Sequence, residues 1–148
     1  MNPAQVDAEL RRRVEELVQS ELRFPCPCCG HSVHSNPPGS YDICEICDWE
    51  DDALELEFAT TLDGGANGLT LFQAQLNYAD FGACERRSSN NVRLPQSSDR
   101  RDQDWRPIDP ALDKFPDWNA PDPPRVPGVD LRLYYWRPDY WYAEQPAV

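Results

Sequence analysis

The chain has 148 residues and a mass of 17.0 kDa, room for one ordinary domain and too little for two. A net charge of -12 and a pI near 4.4 argue against nucleic acid as a partner, because phosphate binding needs a basic footprint. Hydrophobic residues make up 40% and mean hydropathy is -0.73, so the core is small for the length and calls for a staple such as a metal.

No apolar run reaches the length of a membrane span, and the first twenty residues lack the apolar stretch of a signal peptide. The expected location is therefore the cytoplasm. There, clustered cysteines are more often metal ligands than disulfides.

The first predicted element is an amphipathic helix over residues 2–22. Asn2 can cap it, Pro3 suits the first helical position, and Gln5 completes a capping-box-like spacing. Val6, Leu10, Val14, Leu17, Val18 and Leu22 recur every three or four residues and give one apolar stripe. Such a stripe is expected to pack on its own domain. The alternative is a helix that docks on a partner or pairs with a second copy.

Residues 23–58 hold two cysteine turns. "NPPGS" at 36–40 is a turn, and "YDI" at 41–43 suits a short strand entering the second cysteine pair. A helix is predicted over 70–81, with Thr70 and Gln73 as a capping box, Gly82 as the stop and the glycine-rich loop 64–68 before it. Ten of the fifteen prolines lie between 95 and 146, as expected of an extended segment. Trp105, Phe115 and Trp118 favour wrapping over the domain, and Val129, Leu131, Leu133 and Tyr135 alternate with polar residues as in one strand.

Cys26 and Cys29 form one C-x-x-C pair, Cys44 and Cys47 another, and fourteen residues separate them. Four thiolates at this spacing fit one tetrahedral structural Zn2+ per chain. A catalytic zinc would keep an open position, which four cysteines close. His31 and His34 read as ordinary polar loop residues. Cys28 and Cys84 are left over, and read either as buried small hydrophobes or as reactive or redox thiols. No catalytic residue is assigned.

Eight acids and no Lys or Arg lie between Asp42 and Glu57. The plain reading is a solvated face. Because the run overlaps the second cysteine pair, Glu50, Asp51 and Asp52, which directly follow that knuckle, are also candidates for contact with a basic partner. Arg86, Arg87, Arg93, Arg100, Arg101 and Arg106 could fold back onto this run. Six aromatics at 134–142 read as domain packing or as a binding surface.

"CPCCG", "YDICEICDWEDD", "GGANGLTLFQAQLNY", "FGAC" and "VRLP" together resemble the cysteine-rich CPCC family of small bacterial proteins, over residues 24–106. All six cysteines fall on the family's motif positions. Glu45 and Asp48 depart from a pattern that commonly has proline and an aromatic there, which leaves the ligands intact and makes the surface more acidic. The resemblance implies a zinc-ribbon-like fold, and some relatives occur in toxin–immunity gene neighbourhoods.

The expected fold is therefore α+β, a small zinc-ribbon-like double knuckle with flanking helices and an extended aromatic C-terminal segment. It divides into an N-terminal helix (1–23), a zinc-binding domain (24–106) and a Pro- and aromatic-rich extension (107–148). The leading functional reading is a non-enzymatic, zinc-stabilised protein-binding module, namely an immunity protein neutralising a basic toxin. The alternative is an accessory or enzymatic protein of a metabolic or biosynthetic pathway using the Cys28 or Cys84 thiol. Neither reading involves nucleic acid or a membrane.

Overall fold

The structure is a computed structural model that describes residues 2–21, 23–125 and 131–143, with side chains of the first helix described as far as residue 14. Helix α1 spans Pro3–Glu21 and opens with the expected box. The Gln5 amide donates to Asn2 Oδ1 (2.9 Å), and the Asn2 amide donates to Gln5 Oε1 (3.0 Å). The described part of its apolar stripe does not pack on the domain: Val6, Leu10 and Val14 are 48%, 60% and 53% exposed. Helical periodicity fixes which residues share a face, but it carries no information about what covers that face. The side chains of Leu17, Val18 and Leu22 lie outside the described residues.

Strands β1 (Phe24–Pro25) and β2 (Ser32–His34) pair antiparallel, with Phe24 opposite His34, Pro25 opposite Ser32 and a bulge between Phe24 and Pro25. The first cysteine pair occupies their connecting turn. The expected strand at 41–43 is reduced to a single bridge, Ile43 to Glu50, which closes the second cysteine turn.

Helix α2 (Ala53–Glu57) is an element for which no prediction stands. Asp52 caps it by accepting hydrogen bonds from the Leu54 and Glu55 amides. An acid at Asp52 with Glu55 three residues on is a cap signal that the charge run concealed. Helix α3 (Leu71–Phe81) matches its expected bounds within one residue, with a reciprocal Thr70–Gln73 capping box and Gly82 left-handed at φ 79. Leu71, Ala74 and Gln75 form its buried side.

The extension wraps the domain. Tyr134, Tyr135, Trp136, Tyr140 and Tyr142 join one core with the cysteines, Ile46, Trp49, Leu56, Leu71 and Ala74. The aromatics therefore pack and do not form a free surface. Trp118 meets Phe58 edge-on at 5.1 Å, and Phe115 meets Tyr135 at 5.5 Å.

The expected strand over 129–135 is not formed in its described part, and Val129 lies outside the described residues. Leu131–Leu133 is a 3-10 turn. The amides of Tyr134, Arg137, Tyr140 and Ala143 each donate to the carbonyl three residues earlier, so this stretch closes on itself in successive turns. Among the described residues no helix is long and apolar enough to cross a membrane.

Candidate metal centre

Each cysteine pair sits on a turn with the same backbone bonding. In the first, the Cys26 amide donates to the His31 carbonyl (2.9 Å) and the Gly30 amide to the Cys26 carbonyl (2.7 Å). In the second, the Cys44 amide donates to the Trp49 carbonyl (2.9 Å) and the Asp48 amide to the Cys44 carbonyl (2.7 Å). The residue after each pair is left-handed, Gly30 at φ 80 and Asp48 at φ 71. The two turns are one structural unit used twice.

Facing each other, they bring Cys26, Cys29, Cys44 and Cys47 together, all buried, with ligand atoms within 4.8 Å of one another. Cys26 Sγ lies 3.5 Å from Cys47 Sγ, and Cys29 Sγ lies 3.8 Å from Cys44 Sγ. A tetrahedron with metal–sulfur bonds of about 2.3 Å has edges of about 3.8 Å, so the cluster fits a four-coordinate ion. Burial pushes the Cys26 and Cys47 thiols well above their ordinary range. Four dry, crowded sulfurs without a cation are costly, and a dication at their centre reverses that by stabilising the thiolates.

Equivalence of the turns identifies the leftover cysteine. Cys28 occupies the position that Ile46 holds in the second turn, and both are 0% exposed. Cys28 is a core residue in a ligand-rich motif. Its thiol is raised, first by burial. Cys84 is also buried, with its Sγ 3.9 Å from Ser88 Oγ, and burial pushes its thiol up to about 12. All six cysteines are free of disulfides. Raised, enclosed thiols are poor nucleophiles.

His31 and His34 are not polar loop residues as expected. They are 7% and 3% exposed, and His31 Nδ1 and His34 Nε2 have no hydrogen-bond partner among the described residues. Neither belongs to the four-ligand group. The Cys29 thiol is lowered, chiefly by hydrogen bonds from Cys26, Cys44 and Cys47, with His31 also contributing.

Four of the eight acids in the run, Asp51, Asp52, Glu55 and Glu57, are buried, so the solvated-face reading fails for half of it. Asp51 Oδ2 accepts from the Gly39 amide (3.1 Å), the Ser40 amide (3.2 Å) and Ser40 Oγ (2.9 Å), pinning the "NPPGS" turn. Asp52 caps α2 and also accepts from the Ala66 amide at 2.9 Å. Glu55, 0% exposed, accepts from the Asn67 amide at 2.7 Å. Burial, with the Asp52 charge adding to it, raises the Glu55 carboxyl to about 7. Glu57 accepts from the Tyr142 hydroxyl.

Asp51 and Asp52 are 3% and 5% exposed, so two of the three candidate partner-contact residues are structural anchors, and only Glu50 is partly accessible. Of the six arginines, Arg93 alone forms a described ion pair with the run, Nε to Glu45 Oε2 at 2.9 Å. The chain from 93 to 102 nevertheless folds back over both turns through backbone bonds to Glu45, Ser32 and Gly30.

A family model described as "Cysteine-rich CPCC" matches residues 24–99, more than half of the chain. The chain belongs to the cysteine-rich CPCC family, and its buried four-cysteine cluster makes it a candidate metal-binding module. No match was found among curated proteins or among solved structures.

Proposed function

We propose that the chain is a non-enzymatic, zinc-stabilised binding module of zinc-ribbon-like double-knuckle form, and that its partner is a basic protein, in the manner of an immunity protein that neutralises a toxin. The observation that carries the module reading is the closed cluster of four buried thiols, a donor set and geometry suited to structural Zn2+. Cys26, Cys29, Cys44 and Cys47 would hold the ion. The burial and raised thiols of Cys28 and Cys84 weigh against the thiol-enzyme alternative.

The basic partner is supported by the net charge of -12. With Asp51 and Asp52 internal, the accessible acids are dispersed over positions such as Glu45, Asp63, Asp109, Asp117 and Asp139. Attraction therefore comes from the field of the whole molecule, which raises association rates and is screened by salt. Reversing Glu50, Asp51 and Asp52 to lysine does not test this, because it would break the 36–40 turn and the α2 cap.

Metal analysis of purified protein tests the module reading, with about one zinc per chain expected. Folded, reduced protein without zinc overturns it. The partner reading is tested with the product of the adjacent gene. Saturable binding that slows steeply as salt rises supports it, and a product that is neither basic nor toxic, or binding without salt dependence, overturns it.

A further inference from the structure

The acidic molecule contains one feature of opposite sign. A cleft of about 930 Å³ opens between β2 and the segment that folds back over the first cysteine turn. Arg23, Arg93, Arg100 and Arg101 lie on its lining, with Ser32, Ser97 and Ser98 supplying hydroxyls. The carboxylates on the same lining are Glu45, Asp99 and Asp102.

Those carboxylates are already committed. Arg93 takes two of them, Asp99 through both terminal nitrogens (2.6 and 2.9 Å) and Glu45 through Nε (2.9 Å). Asp102 accepts from Arg137, outside the lining, at 2.9 Å. Among the described residues, Arg23, Arg100 and Arg101 meet no carboxylate within ion-pair distance. The lining carries four arginines against three carboxylates, a surplus of one positive charge, and Arg137 neutralises Asp102 from outside it.

That surplus is not what the composition produces by default. The chain has 26 acids against 14 basic residues, so an arginine placed at random finds a carboxylate readily. Arg101 is moreover fixed in place. Its Nε donates to the Cys29 carbonyl (3.0 Å), and its guanidinium lies over the Trp105 ring at 4.9 Å. The first cysteine turn thus holds one cation in place at the cleft, and Arg100 and Arg23 line the same cleft. Preorganised guanidiniums suit the oxygens of a phosphate group, which they bind through paired N–H donors. The cleft's size suits a small organic molecule.

We propose that this cleft binds the phosphate or diphosphate group of a small soluble ligand. The inference does not rest on the basic-partner reading, since it concerns the arginines of one cleft and a ligand of opposite charge. Inorganic pyrophosphate is the probe, titrated into zinc-loaded full-length protein at low ionic strength and followed by calorimetry and by amide chemical shifts. Saturable binding is expected, with shifts confined to residues around 32, 97–103 and 23. Arg100→Ala should weaken it about tenfold, and Arg23→Ala combined with Arg100→Ala more than that, corresponding to about 1.4 kcal/mol per tenfold step. Arg86→Ala, exposed beside Phe81 and outside the cleft, should leave affinity unchanged, and zinc content should be the same in all variants. Absence of saturable binding up to about 10 mM, a dissociation constant too weak to act in a cell, overturns the proposal. So does an equal loss in Arg86→Ala, which would show diffuse attraction to any arginine.

Discussion

The two cysteine turns have the same backbone geometry but are held in place differently. Their second and fourth carbonyls both accept donors from later in the chain. In the first turn the donors are side chains. Gln75 Nε2 and Trp105 Nε1 reach the Pro27 carbonyl at 2.9 and 3.0 Å, and Arg101 Nε reaches Cys29. In the second turn they are backbone amides, Arg93 to Glu45 (3.0 Å) and Cys84 to Cys47 (2.7 Å). At these carbonyls the second turn therefore depends on the path of the chain alone, and the first also on the identity of a few residues. Substitutions around the first turn should be the more damaging, and the metal should be the one element on which both depend equally.

The largest effect expected is loss of that metal. Cys44→Ser should cost several kcal/mol and release the ion, because a structural metal supplies folding energy directly. The matching change in the first turn, Cys26→Ser, should cost the same within error. Cys28→Ala separates ligand from core residue: it should keep the metal and cost at most about 2 kcal/mol, the loss of a small buried side chain. Metal content and chemical denaturation of the three variants measure this. A Cys28→Ala protein without metal would show that the ligand register through "CPCC" is wrong.

Next in size is Gly30→Ala. A Cβ at Gly30 would sit 2.4 Å from Trp105 Cδ2, and the residue is at φ 80. The ring cannot swing away cheaply, because its Nε1 is bonded to Pro27 and Arg101 lies on its face. A loss of about 2–4 kcal/mol is expected from strain and overpacking together. A loss below about 1 kcal/mol would mean that the segment carrying Trp105 yields, and that the first turn is no more dependent on its cover than the second.

These asymmetries show what the sequence made legible. The four-cysteine cluster was readable because C-x-x-C spacing is local, and α3 because its box and its glycine stop lie within the helix's own ends. The roles of the acids were not readable. Asp51, Asp52 and Glu55 look like a charged surface until their donors are known, and Ser40, Ala66 and Asn67 lie eleven to fourteen residues away. The aromatic extension misled for a related reason. Alternation of apolar and polar residues indicates a strand only where a partner edge exists, and residues 131–143 instead bond to themselves every third residue. Pairing between distant segments also hid the cationic cleft, since sequence alone does not reveal that Arg93 takes two carboxylates and leaves its neighbours without one.

An effect of intermediate size concerns pH and the second turn's side of the molecule, where α2 follows directly. Glu55 is raised in the folded chain from its ordinary 4.5 to about 7, chiefly by burial. Between those values it is protonated when folded and ionised when unfolded. Its contribution is therefore complete below about 4.5 and is lost as pH rises toward 7. Stability should be about 2 kcal/mol higher at pH 5.5 than at pH 7.5 from this group alone. Glu55→Gln should flatten that part of the profile. A wild-type profile with no decline across this window, or the same decline in Glu55→Gln, would place the proton elsewhere.

The smallest effect expected is the most direct comparison of the two turns. Asp48 stands where the first turn has Gly30, at φ 71, a left-handed conformation that costs a non-glycine residue about 1 kcal/mol. Its side chain is half-exposed and accepts no described hydrogen bond in return, and its negative charge lies beside a cluster that, with metal bound, carries about -2 of its own. Asp48→Gly removes both the strain and the repulsion, and in doing so gives the second turn the first turn's residue. Glycine's greater freedom in the unfolded chain offsets part of the gain. A net stabilisation of about 0.5–1 kcal/mol is expected at unchanged metal content, read from denaturation midpoints at constant slope. Aspartate is among the residues that tolerate this region best, which keeps the figure small. If Asp48→Gly destabilises instead, the carboxylate is holding the second turn together, and that turn would then depend on a particular side chain just as the first one does.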